Sequence, residues 1–256
     1  MTEFITSTFG LTGKTAIVTG ASRGIGRAAA VALGAAGANV ALVARDTSGL
    51  EETASLIGDE QRTLIATADV TDASAMMGVI DAALSRFGTI DILVNNAGII
   101  RRASAIDYSG HDWNEVIDTN LNAVFAWAQA VGRLMVEQGA GKIINLASLL
   151  SFSGGLNASA YAAAKGGVAQ LTKALANEWS KYGVNVNAIA PGYIKTEATA
   201  ALRSNSERSA QILSRIPAGR YGEPDDLAGA LVFLASSASD YVSGHVLVVD
   251  GGFMAY

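Results

Sequence analysis

The sequence predicts a doubly wound α/β fold, one sheet of seven parallel strands with helices on both faces. Three observations predict it. Short β-branched runs recur along the 256 residues, separated by longer alanine-rich stretches with apolar residues three and four apart. The runs are continuously apolar rather than alternating, as a sheet covered on both faces requires. Strand–helix–strand repetition uses the whole length, with no Ser/Gly-rich linker, and Pro191, Pro217 and Pro224 all fall in the last quarter. A single domain spanning 1–256 is expected.

In chain order the strands are TAIVT at 15–19, NVALV at 39–43, TLIATA at 63–68, IDILV at 90–94, KIINL at 142–146, VNVNAI at 184–189 and HVLVV at 245–249. Helical spacing is clearest over 25–36, 73–87 and 113–138. The segment 193–220 breaks the pattern: apolar periodicity weakens and charge rises, with Lys195, Glu197, Arg203, Glu207, Arg208, Arg215 and Arg220. It follows the sixth strand, at the carboxyl edge where open α/β sheets bind ligands. It reads as a substrate lid, or else as a solvated helical hairpin.

Composition excludes several classes of function. The chain has no cysteine, hence no disulfide scaffold, zinc-thiolate site or cysteine nucleophile. A net charge of −5 without any Lys/Arg block argues against nucleic acid as a partner. Mean hydropathy is +0.31, yet the apolar stretches fall well short of the ~20 residues that span a bilayer. The start, 1–12, lacks the features of a secretory signal, so a cytoplasmic protein is expected. His111 and His245 lie far apart and are read as structural, with no metal expected.

The first strand runs into Thr19-Gly20-Ala21-Ser22-Arg23-Gly24-Ile25-Gly26 and then a helix. Glycines there let the backbone turn sharply and approach a pyrophosphate, whose charge the helix N-terminus stabilises. This makes the fold Rossmann-type. The second strand ends Val43-Ala44-Arg45-Asp46, with alanine where an acid for the ribose 2′-hydroxyl is expected. Arg45 and Arg23 instead suit a 2′-phosphate, which favours NADP(H) and leaves NAD(H) possible. The alternative is that both arginines are solvated and Asp46 binds the ribose.

Tyr161 and Lys165 are four residues apart, on one face of a helix. A free tyrosine is a poor base near neutrality, and a nearby ammonium is expected to lower its pKa. Ser148, thirteen positions earlier at the end of the fifth strand, is placed to hold a substrate oxygen. Asn120 lies where a helix could relay a water to Lys165.

Together with Asp69, Asn95-Asn96-Ala97-Gly98 and Pro191-Gly192, these motifs resemble the short-chain dehydrogenase/reductase family over almost the whole chain. The resemblance implies an oxidoreductase acting on CH–OH groups, with Asn120, Ser148, Tyr161 and Lys165 as its catalytic tetrad. By the same carry-over, Gly20, Ser22, Arg23, Gly24, Ile25, Gly26 and Arg45 bind the cofactor. Asp69 and Val70 hold its adenine, Asn96, Ala97 and Gly98 line it, Lys165 and Tyr161 meet its ribose end, and Pro191, Gly192, Ile194 and Thr196 flank the nicotinamide. Asn95 through Arg102, Ile143 through Ser148, Asn177-Glu178-Trp179, Asn185 through Tyr193 and Ile216 through Arg220 further resemble the family's sugar-acid dehydrogenases. That implies a substrate of the 2-deoxy-D-gluconate or 2-keto-3-deoxygluconate type. Its carboxylate would suit Arg101, Arg102, Arg203, Arg208 or Arg215, with Tyr193 and Asn157 for hydroxyls. Those sugar-acid enzymes usually work with NAD(H), which stands against the arginines noted above.

Two rival readings stay open: a reductase of 3-oxoacyl carrier-protein thioesters, and a nucleotide-binding regulator that has lost its chemistry. Trp113, Trp127 and Trp179 read as core or subunit contacts. The stretches 121–136 and 158–176, with the strand and tail at 246–256, offer faces for a homotetramer.

Overall fold

A computed structural model describes residues 2–255. Its elements are α1 (Thr2–Phe9), β1 (Thr15–Thr19), α2 (Gly24–Ala35), β2 (Asn39–Ala44), α3 (Thr47–Ile57), β3 (Thr63–Thr67), α4 (Ala73–Phe87), β4 (Ile92–Asn95), α5 (Gly110–Ile117) and α6 (Ala123–Gln138). There follow β5 (Gly141–Leu146), α7 (Ser159–Trp179), β6 (Val184–Pro191), α8 (Ala200–Ser204), α9 (Ser206–Leu213), α10 (Ala228–Ala235) and β7 (Val246–Val249). The seven strands form one parallel sheet in the order β3-β2-β1-β4-β5-β6-β7. The order reverses between β1 and β4, so a crevice opens beyond their carboxyl ends.

The strand sequences follow from burial on both faces. In β1, Ala16 and Val18 pack with Leu33 of α2 and Leu231 and Leu234 of α10, whereas Ile17 packs with Ile80 of α4 and Trp127 and Val131 of α6. All five β1 residues are buried. The expectation of burial on both faces fails at the edges. After a buried Thr63, β3 alternates half-buried and exposed positions, and β7 is half-buried throughout, because each lacks a neighbour on one side.

The helix expected over 113–138 is interrupted. Asp118–Asn122 forms a π-helical turn between α5 and α6, which re-aims the polar run DTNLN and buries Asn120 completely. α1 and α3 were not singled out by apolar spacing. α3 is set locally by Asp46, whose carboxylate caps its N-terminus by accepting from the Gly49 N–H at 3.2 Å. Between β6 and α10 the chain forms two short, mostly exposed helices, α8 and α9. Ile212, Ile216 and Tyr221 bury themselves against Leu149 and Phe253 in a small core of their own. No helix among the described residues is long and apolar enough to cross a membrane.

Candidate active site

Two adjoining hollows open at the carboxyl edge. The outer one, of about 1230 Å³, lies along the β1–α2 turn. Gly20 has φ +66, and a Cβ there would stand 2.7 Å from the Asn96 side-chain amide. A Cβ on Gly26 would overlap the Gly20 carbonyl oxygen, so only glycine lets helix and strand meet this closely. Asn96 clamps the turn by donating to the carbonyls of Thr19 and Gly20 at 2.9 and 3.2 Å. Arg23 occupies the N-cap of α2 but makes no side-chain cap, so the first N–H groups of that helix face the hollow unspent. A cradle without side chains at a helix N-terminus fits a dinucleotide pyrophosphate.

Gly20, Ser22, Arg23, Gly24, Ile25, Gly26, Arg45, Asp69, Val70, Asn96, Ala97, Gly98 and Thr196 line this hollow. Asp46 lines it too, with one carboxylate oxygen accepting the α3 cap from the Gly49 N–H. The two arginines are themselves held: Arg45 by Asp69 at 3.5 Å, and Arg23 by Glu197 at 2.6 Å. Asp69 is kept below the usual carboxylate range, first by the Thr71 N–H and hydroxyl and then by Arg45. Sequence reasoning missed Arg27 and Thr53. Arg27 donates to the Ser22 carbonyl at 2.5 Å and Thr53 to the Ala21 carbonyl at 2.9 Å, fixing the glycine turn from behind. The signal was there for Arg27, the one charge in α2.

The inner hollow, of about 570 Å³, is lined by Asn120, Ser148, Tyr161, Lys165, Pro191, Gly192, Tyr193 and Ile194. Four residues apart on α7, Tyr161 and Lys165 share a face, with the Lys165 Nζ 5.7 Å from the Tyr161 ring centre. Lys165 is buried and donates to the Leu146 carbonyl at 2.5 Å, tying α7 to the end of β5. Ser148 follows β5, and its Oγ accepts from the Leu150 N–H at 3.1 Å. Asn120 donates to the carbonyls of Ile99 and Val116 at 2.9 and 2.8 Å and accepts from the Ile99 N–H at 3.2 Å.

A family model described as enoyl-(acyl carrier protein) reductase matches residues 20–254. The chain is 48% identical over 254 residues to the 2-dehydro-3-deoxy-D-gluconate 5-dehydrogenase of Escherichia coli K12, covering 98% of this chain and 99% of that one. It belongs to the short-chain dehydrogenase/reductase family. The enzyme of the same name from Bacillus subtilis is 50% identical, again over 98% and 99% of the two chains. A gluconate 5-dehydrogenase from Burkholderia cenocepacia, solved with NADP and tartrate, is 42% identical and superposes with a TM-score of 0.93, covering 98% and 99%. As a short-chain dehydrogenase/reductase the chain is an oxidoreductase.

The electrostatics of this short-chain dehydrogenase/reductase site differ from expectation. Burial raises the Tyr161 phenol above its ordinary 10.0, while the Ser148 hydrogen bond and then the Arg102 charge pull it back. Burial also drives Lys165 from 10.5 down to about 8, and the charge that helps lower the phenol is that of Arg102.

Among the candidate substrate residues, Arg102, Tyr193 and Arg208 line the inner hollow, joined by Arg215. Three do not. Arg101 is held by Glu115 at 2.9 and 3.0 Å and lines only the outer hollow. Arg203 turns back onto its own segment, donating to the Thr196 carbonyl at 3.2 Å and lining neither hollow. Asn157 also lines neither; it is exposed, at a left-handed turn of φ +56 leading into α7. His111 is less isolated than its sequence position suggests: Asp112 and Glu115 stand within 4.8 Å, with Arg101 paired to both carboxylates.

Proposed function

We propose that the chain is an NADP(H)-linked dehydrogenase that oxidises a secondary alcohol of a sugar acid, or reduces the corresponding ketone. One observation carries the substrate class: Arg102, Arg208, Arg215 and Lys165 line the inner hollow, and no carboxylate does so among the described residues. Arg102 makes no ion pair or hydrogen bond there, which leaves its planar fork for a carboxylate. Arg215 is stacked 4.2 Å over the Phe253 ring, and Arg208 donates to Gln211 at 3.0 Å, so both are partly engaged. The identities to the 2-dehydro-3-deoxy-D-gluconate and gluconate 5-dehydrogenases support the same class.

The glycine turn, Arg23, Arg45, Asp69, Val70, Asn96, Ala97, Gly98, Pro191, Gly192, Ile194 and Thr196 would hold the cofactor, which supplies the hydride chemistry when bound. The protein's own work is to orient the substrate and move a proton. Tyr161 is the acid–base: in oxidation its phenolate oxygen takes the carbinol proton, and in reduction its phenol returns one to the ketone oxygen. Ser148 holds that same oxygen. Lys165 brings positive charge toward the proton path, and its pKa near 8 makes it a proton carrier near neutrality. With the Asn120 side chain committed to Ile99 and Val116, a water link from Asn120 to Lys165 starts from its main-chain carbonyl.

Arg102→Ala raises KM for a sugar-acid substrate about 10- to 100-fold, the value of a charge-assisted hydrogen bond, with a smaller change in kcat. The same variant leaves KM for an uncharged analogue, the corresponding alditol, unchanged. Equal KM changes for acid and alditol would remove the carboxylate assignment. For the cofactor, Arg45→Asp shifts the NADPH/NADH ratio of kcat/KM at least tenfold toward NADH, since a carboxylate repels a 2′-phosphate and accepts a 2′-hydroxyl. An unchanged ratio contradicts the NADP(H) assignment.

The protein is further read as a cytoplasmic homotetramer, through the α6 and α7 faces and the half-buried β7 edge. A monomer mass by light scattering would contradict this.

A further inference from the structure

We propose that Ser151 is a positioning residue of this site, locking the turn that carries Ser148 to the helix that carries Tyr161 and Lys165. The inference rests on the reading of Ser148, Tyr161 and Lys165 as the reacting side chains. The Ser151 hydroxyl donates to the Lys165 main-chain carbonyl at 2.7 Å and accepts from the Ser148 N–H at 3.3 Å. Its single proton is thereby spent on α7, so toward Ser148 it acts only as an acceptor, and the polarity of the bridge is fixed. Ser148 completes the exchange: its own Oγ accepts from the Leu150 N–H at 3.1 Å. With that lone pair occupied, the Ser148 hydroxyl proton is the free group, aimed at the phenol oxygen of Tyr161 or at a substrate oxygen.

The turn between these residues is one three-residue helical turn, Leu149–Ser151, and needs an external tie. On its far side Leu149 is buried against Ile212, Ile216, Tyr221 and Phe253, the small core that includes the end of α9. Ser151 supplies the tie on the near side. Without it the turn keeps its Leu149 packing and the Lys165–Leu146 bond just upstream, but nothing holds the Ser148 N–H, and the Ser148 hydroxyl can swing away from Tyr161. A displacement below an ångström suffices to slow a positioned proton transfer markedly. Because the Ser148 hydrogen bond favours the charged phenol, loosening it also moves the titration of Tyr161 upward; Lys165 and Arg102, and Arg208 and Arg215 from α9 and the turn after it, keep their places.

The test is a series at position 151: Ser151→Thr, Ser151→Cys and Ser151→Ala. Each is measured for kcat, cofactor KM, thermal midpoint and the pH dependence of oxidation. Threonine keeps the hydroxyl and stays near wild type. Cysteine, a weak donor and acceptor, falls between, and alanine loses on the order of tenfold in kcat. The acid limb of the pH profile moves to higher pH in the same order, with cofactor KM constant. Threonine and cysteine carry the test alone if the alanine protein does not fold. An unchanged kcat across the series overturns the proposal, and so does a kcat that falls with the thermal midpoint while the acid limb stays still. Tyr161→Phe run alongside separates the two levels: a silent Ser151 series with an inactive Tyr161→Phe defeats the positioning role alone, whereas an active Tyr161→Phe defeats the reading beneath it.

Discussion

Tyr161→Phe removes turnover while leaving the fold and the cofactor cleft in place. The expected loss in kcat is about 10²- to 10⁴-fold, the usual contribution of a positioned acid–base. The ring is retained, so its packing against the inner hollow survives and only the proton-carrying oxygen goes. NADPH binding, followed by fluorescence, stays within about threefold, since the glycine turn and its clamp at Asn96 are untouched. The wild-type pH profile carries the same information. Oxidation needs the phenolate, so kcat/KM for oxidation rises with pH; reduction needs the phenol, so it falls. Burial raises the phenol and Ser148 and Arg102 lower it, so Arg102→Ala moves the oxidation limb to higher pH. A limb that moves to lower pH would contradict this account of the electrostatics.

Lys165→Met gives the second large effect, with opposite signs for activity and stability. Activity falls by orders of magnitude, because the ammonium no longer serves the proton path. Stability rises. The folded protein holds Lys165 near 8 against its ordinary 10.5, so charging it in the fold is unfavourable by about 3 kcal/mol at pH 7. Methionine fills a similar volume without that penalty but loses the hydrogen bond to the Leu146 carbonyl, about 1–2 kcal/mol. The net gain of about 1–2 kcal/mol appears as a thermal midpoint a few degrees higher in cofactor-free protein. The sign with pH is fixed. Between 8 and 10.5 the unfolded chain binds more protons than the folded one, so wild-type stability recovers as pH rises through that window. The advantage of Lys165→Met is therefore full below pH 8 and shrinks toward pH 10.5. A variant less stable than wild type at pH 7 would show that the lysine supports the fold.

The features legible in the sequence are those a local rule forces. Gly20 and Gly26 announce the turn because no Cβ fits there, and Tyr161 and Lys165 share a face because they sit one helical turn apart. All seven strands were legible to within a residue or two; what failed at the edges was full burial, because β3 and β7 each lack a neighbour on one side. What escaped depends on partners distant in the chain. Arg101 reads as a free cation until the fold brings Glu115 to it, and Arg23 until Glu197 arrives from the segment after β6. The π-helical turn at Asn120 hides inside apolar spacing that would suit one unbroken helix. The Tyr161–Lys165 spacing correctly pairs the groups, but burial, which reverses the expected direction for the phenol, is a property of the whole fold.

The most direct test is nicotinamide absorbance during turnover, with NADP⁺ and NAD⁺ each paired with gluconate, 2-deoxygluconate and 2-keto-3-deoxygluconate, and with acetoacetyl thioester reduction run beside them. The account predicts oxidation of at least one sugar acid, faster with NADP⁺ and absent in Tyr161→Phe. No turnover of any sugar acid together with rapid thioester reduction would contradict it, and would mean that Arg102, Arg208 and Arg215 serve an acyl carrier rather than a sugar-acid carboxylate.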